Sequence, residues 1–388
     1  MTHRISRRAT LGGLLAAPFA SRGFAQGANT LKIGTILSTT GPAAFLGEDM
    51  RAGVELAIEE INAAGGIGGR RLEWFFYDGE SQTQRAINAT RRLLTQDRVD
   101  AIVGGGSMSG IALAMAPLCE QAGVPFMATE GAMGIVQPPA ERRYVFKSTV
   151  DDDKVLERLA DWCAKKNMNR VAMVADNSGF GQSAVEQMQI VAAKRGLTVT
   201  YESFGPADTD LTGQLTRVRA SNAQVVLCWT VAPVGVVFLR QARQLGLGDR
   251  QLVHSYGFVS QRYMELAGEA AQNLLLLSVK FPVGDQLPAA DPVRAPIVDL
   301  TQRFRARYNR VPNQFVGQTY DAMMLTRIGL AAGGGDKAKV RDAIEAIRGY
   351  RGVSGVFNFT PQVHSGLGSS DVVMLDWRDG RFNLADYA

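Results

Sequence analysis

The sequence predicts an α/β protein with two doubly wound, largely parallel sheets. Two observations lead there. Short apolar runs that end in Gly, Asp or Ser-rich loops alternate with longer stretches of helical periodicity from Leu31 to Ala128. The same alternation restarts after Tyr144-Val145-Phe146-Lys147 and runs to Phe281. At 388 residues and 46% hydrophobic content the chain can fill two cores.

The first elements read as follows. Residues 31–37 form a strand, and Ser38 to Pro42 a turn cluster. Val54, Ala57, Ile58 and Ile61 repeat at helical spacing within 47–64. The glycine-rich segment 65–69 ends that helix and leads to a strand over 72–77, then a helix over 83–96. In the second half, helices are expected at 152–167, 182–195, 211–220 and 233–245. Strands are expected between them at 170–175, 198–204, 225–229 and 252–255, with another over 274–281. Four prolines mark 282–296 as a long loop, followed by helices at 297–308, 316–332 and 338–347. Asp379-Gly380 is a hairpin turn signal between strands at 372–377 and 382–385.

The N-terminus reads as an export signal. Arg4, Arg7 and Arg8 precede an apolar run from Leu11 to Ala20, and Gly23-Phe24-Ala25 resembles a cleavage site. Ser6-Arg7-Arg8-Ala9-Thr10-Leu11 fits the twin-arginine pattern, the alternative being an ordinary Sec signal with adjacent arginines. Residues 1–25 are therefore expected to be removed and the mature protein to be periplasmic. The same segment holds four arginines and no acid, so the mature chain keeps 38 basic against 37 acidic residues. A near-neutral chain without a basic face gives no support for nucleic-acid binding. Cys119, Cys163 and Cys228 are odd in number and widely spaced, so three buried free thiols are expected.

The segment 99–132 is the stretch around which the chain is organised. Ala101-Ile102-Val103 reads as a buried strand that stops at Gly104-Gly105-Gly106; a helical pattern follows Ser107-Met108-Ser109-Gly110. The next strand, 124–128, ends in Thr129-Glu130-Gly131-Ala132. In open parallel sheets ligands sit at the carboxyl ends of the strands. Ser109 combines a hydroxyl with a helix N-terminus, the two features of an anion site; the plainer reading makes Ser107 or Ser109 only a helix cap. Asp151-Asp152-Asp153 likewise reads as a cap with favourable dipole charges.

Enzymatic signals are sparse. His254 and His364 lack metal-ligand spacing, and no Walker sequence or hydrolase elbow is present. Gly104, Gly106 and Ser109 approximate a dinucleotide fingerprint, with Glu130 in the place of the ribose-binding acid. An exported dinucleotide-dependent oxidoreductase is thus one alternative.

Several motifs in order resemble the branched-chain amino-acid-type periplasmic solute-binding proteins, the leucine/isoleucine/valine-binding family of ABC transporters. They are LKIGTILSTTGPAAFLGEDMRAGVELAIEEINAAGGIGGRRLE, the 99–132 stretch, NRVAMVADNSGFGQSAVE, FLRQARQLGL and GQTYDAMM. The resemblance implies the type I periplasmic-binding-protein fold, two Rossmann-like lobes joined by three hinge crossovers. Lobe one would be 28–147 plus 280–355 and lobe two 148–279 plus 356–388. It implies no catalysis and no cofactor. Its expected partners are a small carboxylate-bearing or amino-acid ligand and an ABC permease, with the chain a monomer. A ligand-sensing domain of a receptor is the remaining alternative.

The resemblance also implies a site. Ser109 and the N–H groups of Gly110 and Ala132 would take the ligand carboxylate, within a clamp running from Glu130 to Ala132. Phe180 would be an aromatic lid, and Leu46 (or Phe45), Val231 and Phe315 wall positions. Tyr256 stands where the family carries an acid for the ligand's α-ammonium. Either Glu130 replaces that acid, or the ligand is an aromatic or aliphatic carboxylate with no α-ammonium. Ser81 and Met108 stand where the family's early disulfide would place its cysteines.

Overall fold

The computed structural model describes residues 30–387. The expected export signal lies outside the described residues. The first sheet holds five parallel strands, β1 (Thr30–Leu37), β2 (Arg71–Asp78), β3 (Ala101–Gly105), β4 (Phe126–Ala128) and β5 (Val145–Lys147), in the order β2-β1-β3-β4-β5. Between them run α1 (Ala44–Ala63), α2 (Thr83–Arg92) and α3 (Ser109–Ala122). Every residue of β3 is buried, as a strand covered on both faces requires. In α1 the buried Leu46, Met50, Val54, Ala57, Ile58 and Ile61 form the inward stripe. The end of α2 loosens into a single π turn, Leu93–Asp97, which closes on the left-handed Arg98 (φ 55°).

The chain then crosses into α4 (Asp152–Lys165), β6 (Arg170–Asp176), α5 (Gly179–Arg195), β7 (Thr198–Phe204), α6 (Thr212–Ala220), β8 (Val225–Trp229), α7 (Val234–Gln244), β9 (Gln251–His254), α8 (Gln261–Ala267) and β10 (Leu275–Val279). Strands β6 to β10 are parallel in the order β7-β6-β8-β9-β10, the same winding as the first sheet. The helix α5 begins three residues earlier than its periodicity indicates, because the Ser178 hydroxyl accepts from Phe180 N and Gly181 N.

The chain returns through α9 (Arg294–Tyr308), α10 (Gln314–Gly333) and α11 (Lys337–Glu345), which pack on the first sheet's side. Arg307 pairs with Glu59, and Tyr320 donates to Glu60 at 2.8 Å, tying α9 and α10 to α1. A two-stranded ribbon, β11 (Tyr350–Arg351) with β12 (Val356–Phe357), follows. It is too short to leave a periodic signal. The last pair, β13 (Val372–Arg378) and β14 (Arg381–Asp386), joins the second sheet antiparallel beside β10, which makes that sheet mixed. All three cysteines are free and buried.

Candidate functional site

Both sheets wind in a 2-1-3-4-5 order, so each has a switch point at the carboxyl end of its first two inner strands. The two switch points face one cavity of about 270 Å³. Ser81, Ser107 to Gly110, Thr129 to Gly131 and Thr149 reach it from the loops after β2, β3, β4 and β5. Ser178 to Phe180, Val231 and Tyr256-Gly257 reach it from the loops after β6, β8 and β9. Leu46 and Met50 of α1 and Phe315 and Gln318 of α10 complete the wall. Phe45 points elsewhere and packs edge-on against Tyr263 at 5.1 Å.

Ser109 is the first residue of α3, and the capping position is Met108, which caps nothing with its side chain. Neither Ser107 nor Ser109 serves as the cap. The Ser107 hydroxyl instead accepts from Ser38 N at 3.1 Å and fixes the β1 and β3 loops together. The Ser109 hydroxyl accepts from Ala132 N at 3.1 Å. The Ala132 N–H is thus engaged by Ser109, and the residue is buried and does not line the cavity. The consequence favours Ser109. One lone pair is fixed by Ala132, so the hydroxyl proton stays available to a ligand. Beside it, the position of a side chain on Gly110 would be open space, so the first turn of α3 faces the cavity directly.

Glu130 lines the cavity with its carboxylate bonded into its own loop. Its carboxylate accepts from Gly105 N (2.9 Å), Ser107 N (3.0 Å), Thr129 N (2.9 Å) and the Thr129 hydroxyl (3.0 Å). It is the keystone of the β3–α3 loop rather than a free acid. Gly105 must be glycine because a Cβ there would meet the Glu130 carboxyl carbon at 2.9 Å. Burial pushes the Glu130 carboxyl up against the pull of those four donors. The same bonds dispose of the dinucleotide reading. Two of the loop N–H groups that would cradle a pyrophosphate, those of Gly105 and Ser107, already point at Glu130.

The lobe-two wall is aromatic. Phe180 lies edge-on to Tyr256 at 5.3 Å, and Trp229 backs both at 5.5 and 5.7 Å. The Tyr256 hydroxyl donates to Asp152 Oδ1 at 2.9 Å. Asp152 Oδ2 accepts from Ser183 at 2.5 Å, and Ser183 accepts from Met133 N of the opposite lobe at 3.0 Å. Next to this chain Lys147, fully buried, pairs with Asp151 at 2.6 Å and donates to Gly131 O at 2.6 Å. Asp151 occupies the N-cap position of α4, with Asp152 and Asp153 in its first turn, as the acidic run indicated, but its side chain makes no capping bond: the side chains of Asp151 and Asp152 anchor the crossover from β5 to α4 instead. Sequence reasoning missed this role because the residues that claim the aspartates lie on four separated segments.

Burial pushes the Asp152 carboxyl up to about 7 from 3.8, with Lys147 pulling the other way. Between those values the folded chain holds a proton that the unfolded chain releases. Stability from this group is thus full below about pH 4 and is lost as pH rises through 7. Asp152→Asn should remove that slope. Comparing urea unfolding of the two proteins, the variant should gain ground on the wild type from pH 4 to pH 8; parallel curves would contradict the assignment.

The structure brings Ser109, Gly110, Glu130, Phe180, Tyr256, Leu46, Val231 and Phe315 to one cavity. It adds Gly131, whose Cα faces the Tyr256 hydroxyl and Phe180 across the cleft, and Gly179, packed on Gly110 N. No cluster of His, Cys, Asp or Glu able to hold a metal occurs among the described residues. No described helix is long and apolar enough to cross a membrane.

Comparison with known proteins agrees with this architecture. A family model described as periplasmic binding protein matches residues 30–381. Leu/Ile/Val-binding protein homolog 3 of Brucella melitensis is 26% identical over 93% of this chain and 95% of its own length. The leucine-, isoleucine-, valine-, threonine- and alanine-binding protein of Pseudomonas aeruginosa is 26% identical over 89% of each chain. Among solved structures, the branched-chain amino acid transporter substrate binding protein LivJ of Streptococcus pneumoniae, in complex with isoleucine, superposes with a TM-score of 0.79 at 25% identity. That match covers 93% of this chain and 99% of that one. An extracellular ligand-binding receptor of Rhodopseudomonas palustris reaches 0.84 at 24% identity, covering 92% and 99%, which supports the fold. These relatives are solute-binding proteins, not enzymes. With a family model matching nearly its whole described length, the chain belongs to the periplasmic binding protein family.

Proposed function

We propose that the protein is the periplasmic solute-binding component of an ABC importer, which captures a small carboxylate-bearing ligand between its lobes and presents it to a permease. The observation that carries the reading is the Ser109 hydroxyl, aimed by Ala132 N–H at the start of α3, within a cavity whose lining contains no lysine, arginine or histidine. An anion there is met by the Ser109 hydroxyl, the Gly110 N–H and the positive end of the helix. The volume lies just below the usual range for drug-sized ligands, as suits a small solute. The apolar part of the ligand would lie against Leu46, Met50, Phe180, Val231 and Phe315.

Hinge crossovers near residues 147, 280 and 356 would let the lobes open and close, since the chain passes between the two sheets at those places. The reading includes removal of residues 1–25 and function as a monomer.

Replacing Ser109 with alanine removes one hydrogen bond to a charged group. Affinity for the carboxylate should fall by about 1 to 3 kcal/mol. Isothermal titration of wild type and variant with the same acid measures it. Unchanged affinity would overturn the carboxylate assignment.

A further inference from the structure

Besides Tyr256, six buried polar side chains line the cavity. Thr129 and Glu130 bond to each other and into the β3–α3 loop, and Ser107 and Ser109 stand at the start of α3. The other two, Thr149 and Gln318, form a pair of their own. Gln318, on α10, is 2% exposed, and Thr149, in the loop after β5, is 1% exposed. Gln318 Nε2 donates to Thr149 Oγ1 at 3.2 Å, and the Ser148 hydroxyl donates to Gln318 O at 2.9 Å, which fixes the β5 loop to α10. Among the described residues no protein group donates to Gln318 Oε1, and none accepts the Thr149 hydroxyl proton. A glutamine that only filled a core would have both ends of its amide paired within the protein. A hydroxyl can accept from an amide or donate to it, so in either arrangement this pair offers the cavity both a donor and an acceptor. No lysine, arginine or histidine lines the cavity, so nothing beside the pair favours a second anion. The pair is also set apart from the anion-binding end: β5 is two strands away from β3, about 10 Å along the sheet edge.

From this geometry we infer that Gln318 and Thr149 form a second polar subsite, and that the ligand is a monocarboxylate whose body ends in an uncharged hydroxyl or carboxamide held by that pair. Such a group donates and accepts at once, as the pair does, and needs no counter-charge. It lies several bonds from the carboxylate, with the apolar stretch between the two ends against Phe180, Val231 and Phe315. The inference rests on the carboxylate reading of Ser109. It holds with or without an α-ammonium, for which the Tyr256 oxygen, its proton given to Asp152, is open as an acceptor on the facing lobe.

The test is a titration of the mature wild-type protein, stripped of bound solute by partial unfolding and dialysis, with pairs that exchange the polar tip for a methyl group of the same shape. These are L-asparagine against L-leucine, L-tyrosine against 4-methyl-L-phenylalanine, succinamate against 4-methylpentanoate, and 4-hydroxyphenylacetate against 4-methylphenylacetate. The expected result is that in at least one pair the polar member binds about tenfold or more tighter than its methyl counterpart. If the methyl member binds as tightly or tighter in every pair that binds, the inference is overturned while the carboxylate reading stands. If nothing in the panel binds, both fall together. The second measurement repeats the preferred pair with Gln318→Met and with Thr149→Val, so that failure of one variant to fold leaves the other. Each should bring the ratio of affinities within the pair to about threefold or less. A merely structural role would weaken both members alike, and an unchanged ratio would show that Gln318 and Thr149 do not read the polar tip. Ser109→Ala separates the two readings: it should weaken both members of the pair and keep their ratio, whereas unchanged affinities would overturn the carboxylate reading alone.

Discussion

Gly131→Ala should weaken ligand capture by about 5- to 150-fold while leaving the free protein folded. A Cβ at Gly131 would stand 2.7 Å from Phe180 Cε2 and closer still to the Tyr256 hydroxyl, both on the opposite lobe. The Gly131 backbone is not in the left-handed region, so alanine carries no conformational strain of its own. The proposed hinge opening, which would carry Phe180 and Tyr256 away from Gly131, would relieve the clash. Overpacking of this kind costs about 1 to 3 kcal/mol. All of it falls on the closed state, so it appears as lost affinity rather than lost stability. Titration with a carboxylate ligand of the wild type gives the affinity, and urea unfolding without ligand gives the stability. Equal affinities would mean that binding does not require the closed approach of Gly131 to Tyr256.

Lys147→Met should destabilise the protein by about 3 to 5 kcal/mol. Lys147 is fully buried at the end of β5 and is the cation nearest three demands: the Asp151 carboxylate, the Gly131 carbonyl and the charge on Asp152. Methionine fills the volume and removes the charge. The Asp151 carboxylate then keeps only its bond from Ser365, at 2.5 Å, and Gly131 O loses its bond from the ammonium. Replacing an ion pair with apolar residues on both sides can be harmless, but removing one partner leaves a buried charge uncompensated. The unfolding midpoint in urea measures the effect. A loss under about 1 kcal/mol would show that Asp151 is relieved by water or by Ser365 alone.

The fold was legible in the sequence because parallel sheets leave the strongest local signal there is. The β3 and β8 strands are apolar throughout, buried on both faces, and punctuated by glycine or tryptophan-threonine ends. The mixed edge at β13 and β14 was legible as a hairpin through Asp379-Gly380, but its partner strand was not, since pairing between β10 and β13 spans almost a hundred residues of chain. The short α8 carried too few turns to show a period.

The site was legible where one loop supplies both backbone and side chain, as at Ser109-Gly110. It was illegible where function depends on which of two partners claims an atom. Nothing local tells that Ala132 N–H turns inward to Ser109 or that Glu130 bonds back to Gly105 and Ser107. The Asp151-Asp152-Asp153 run has the composition of a helix cap. It holds that position, but Lys147, Ser183, Tyr256 and Ser365 claim its side chains, and they converge only in three dimensions. Gly131 offered a usable signal: a glycine in the clamp loop without a turn to explain it marks a close approach from elsewhere.

The most direct test of the central claim is a crystal structure of the protein with a bound carboxylate ligand. The account predicts carboxylate oxygens within hydrogen-bond distance of Ser109 Oγ and Gly110 N, and the apolar body between Phe180, Val231 and Leu46. A ligand whose carboxylate lies at the Tyr256 end of the cavity, or outside the interlobe cleft, would contradict it.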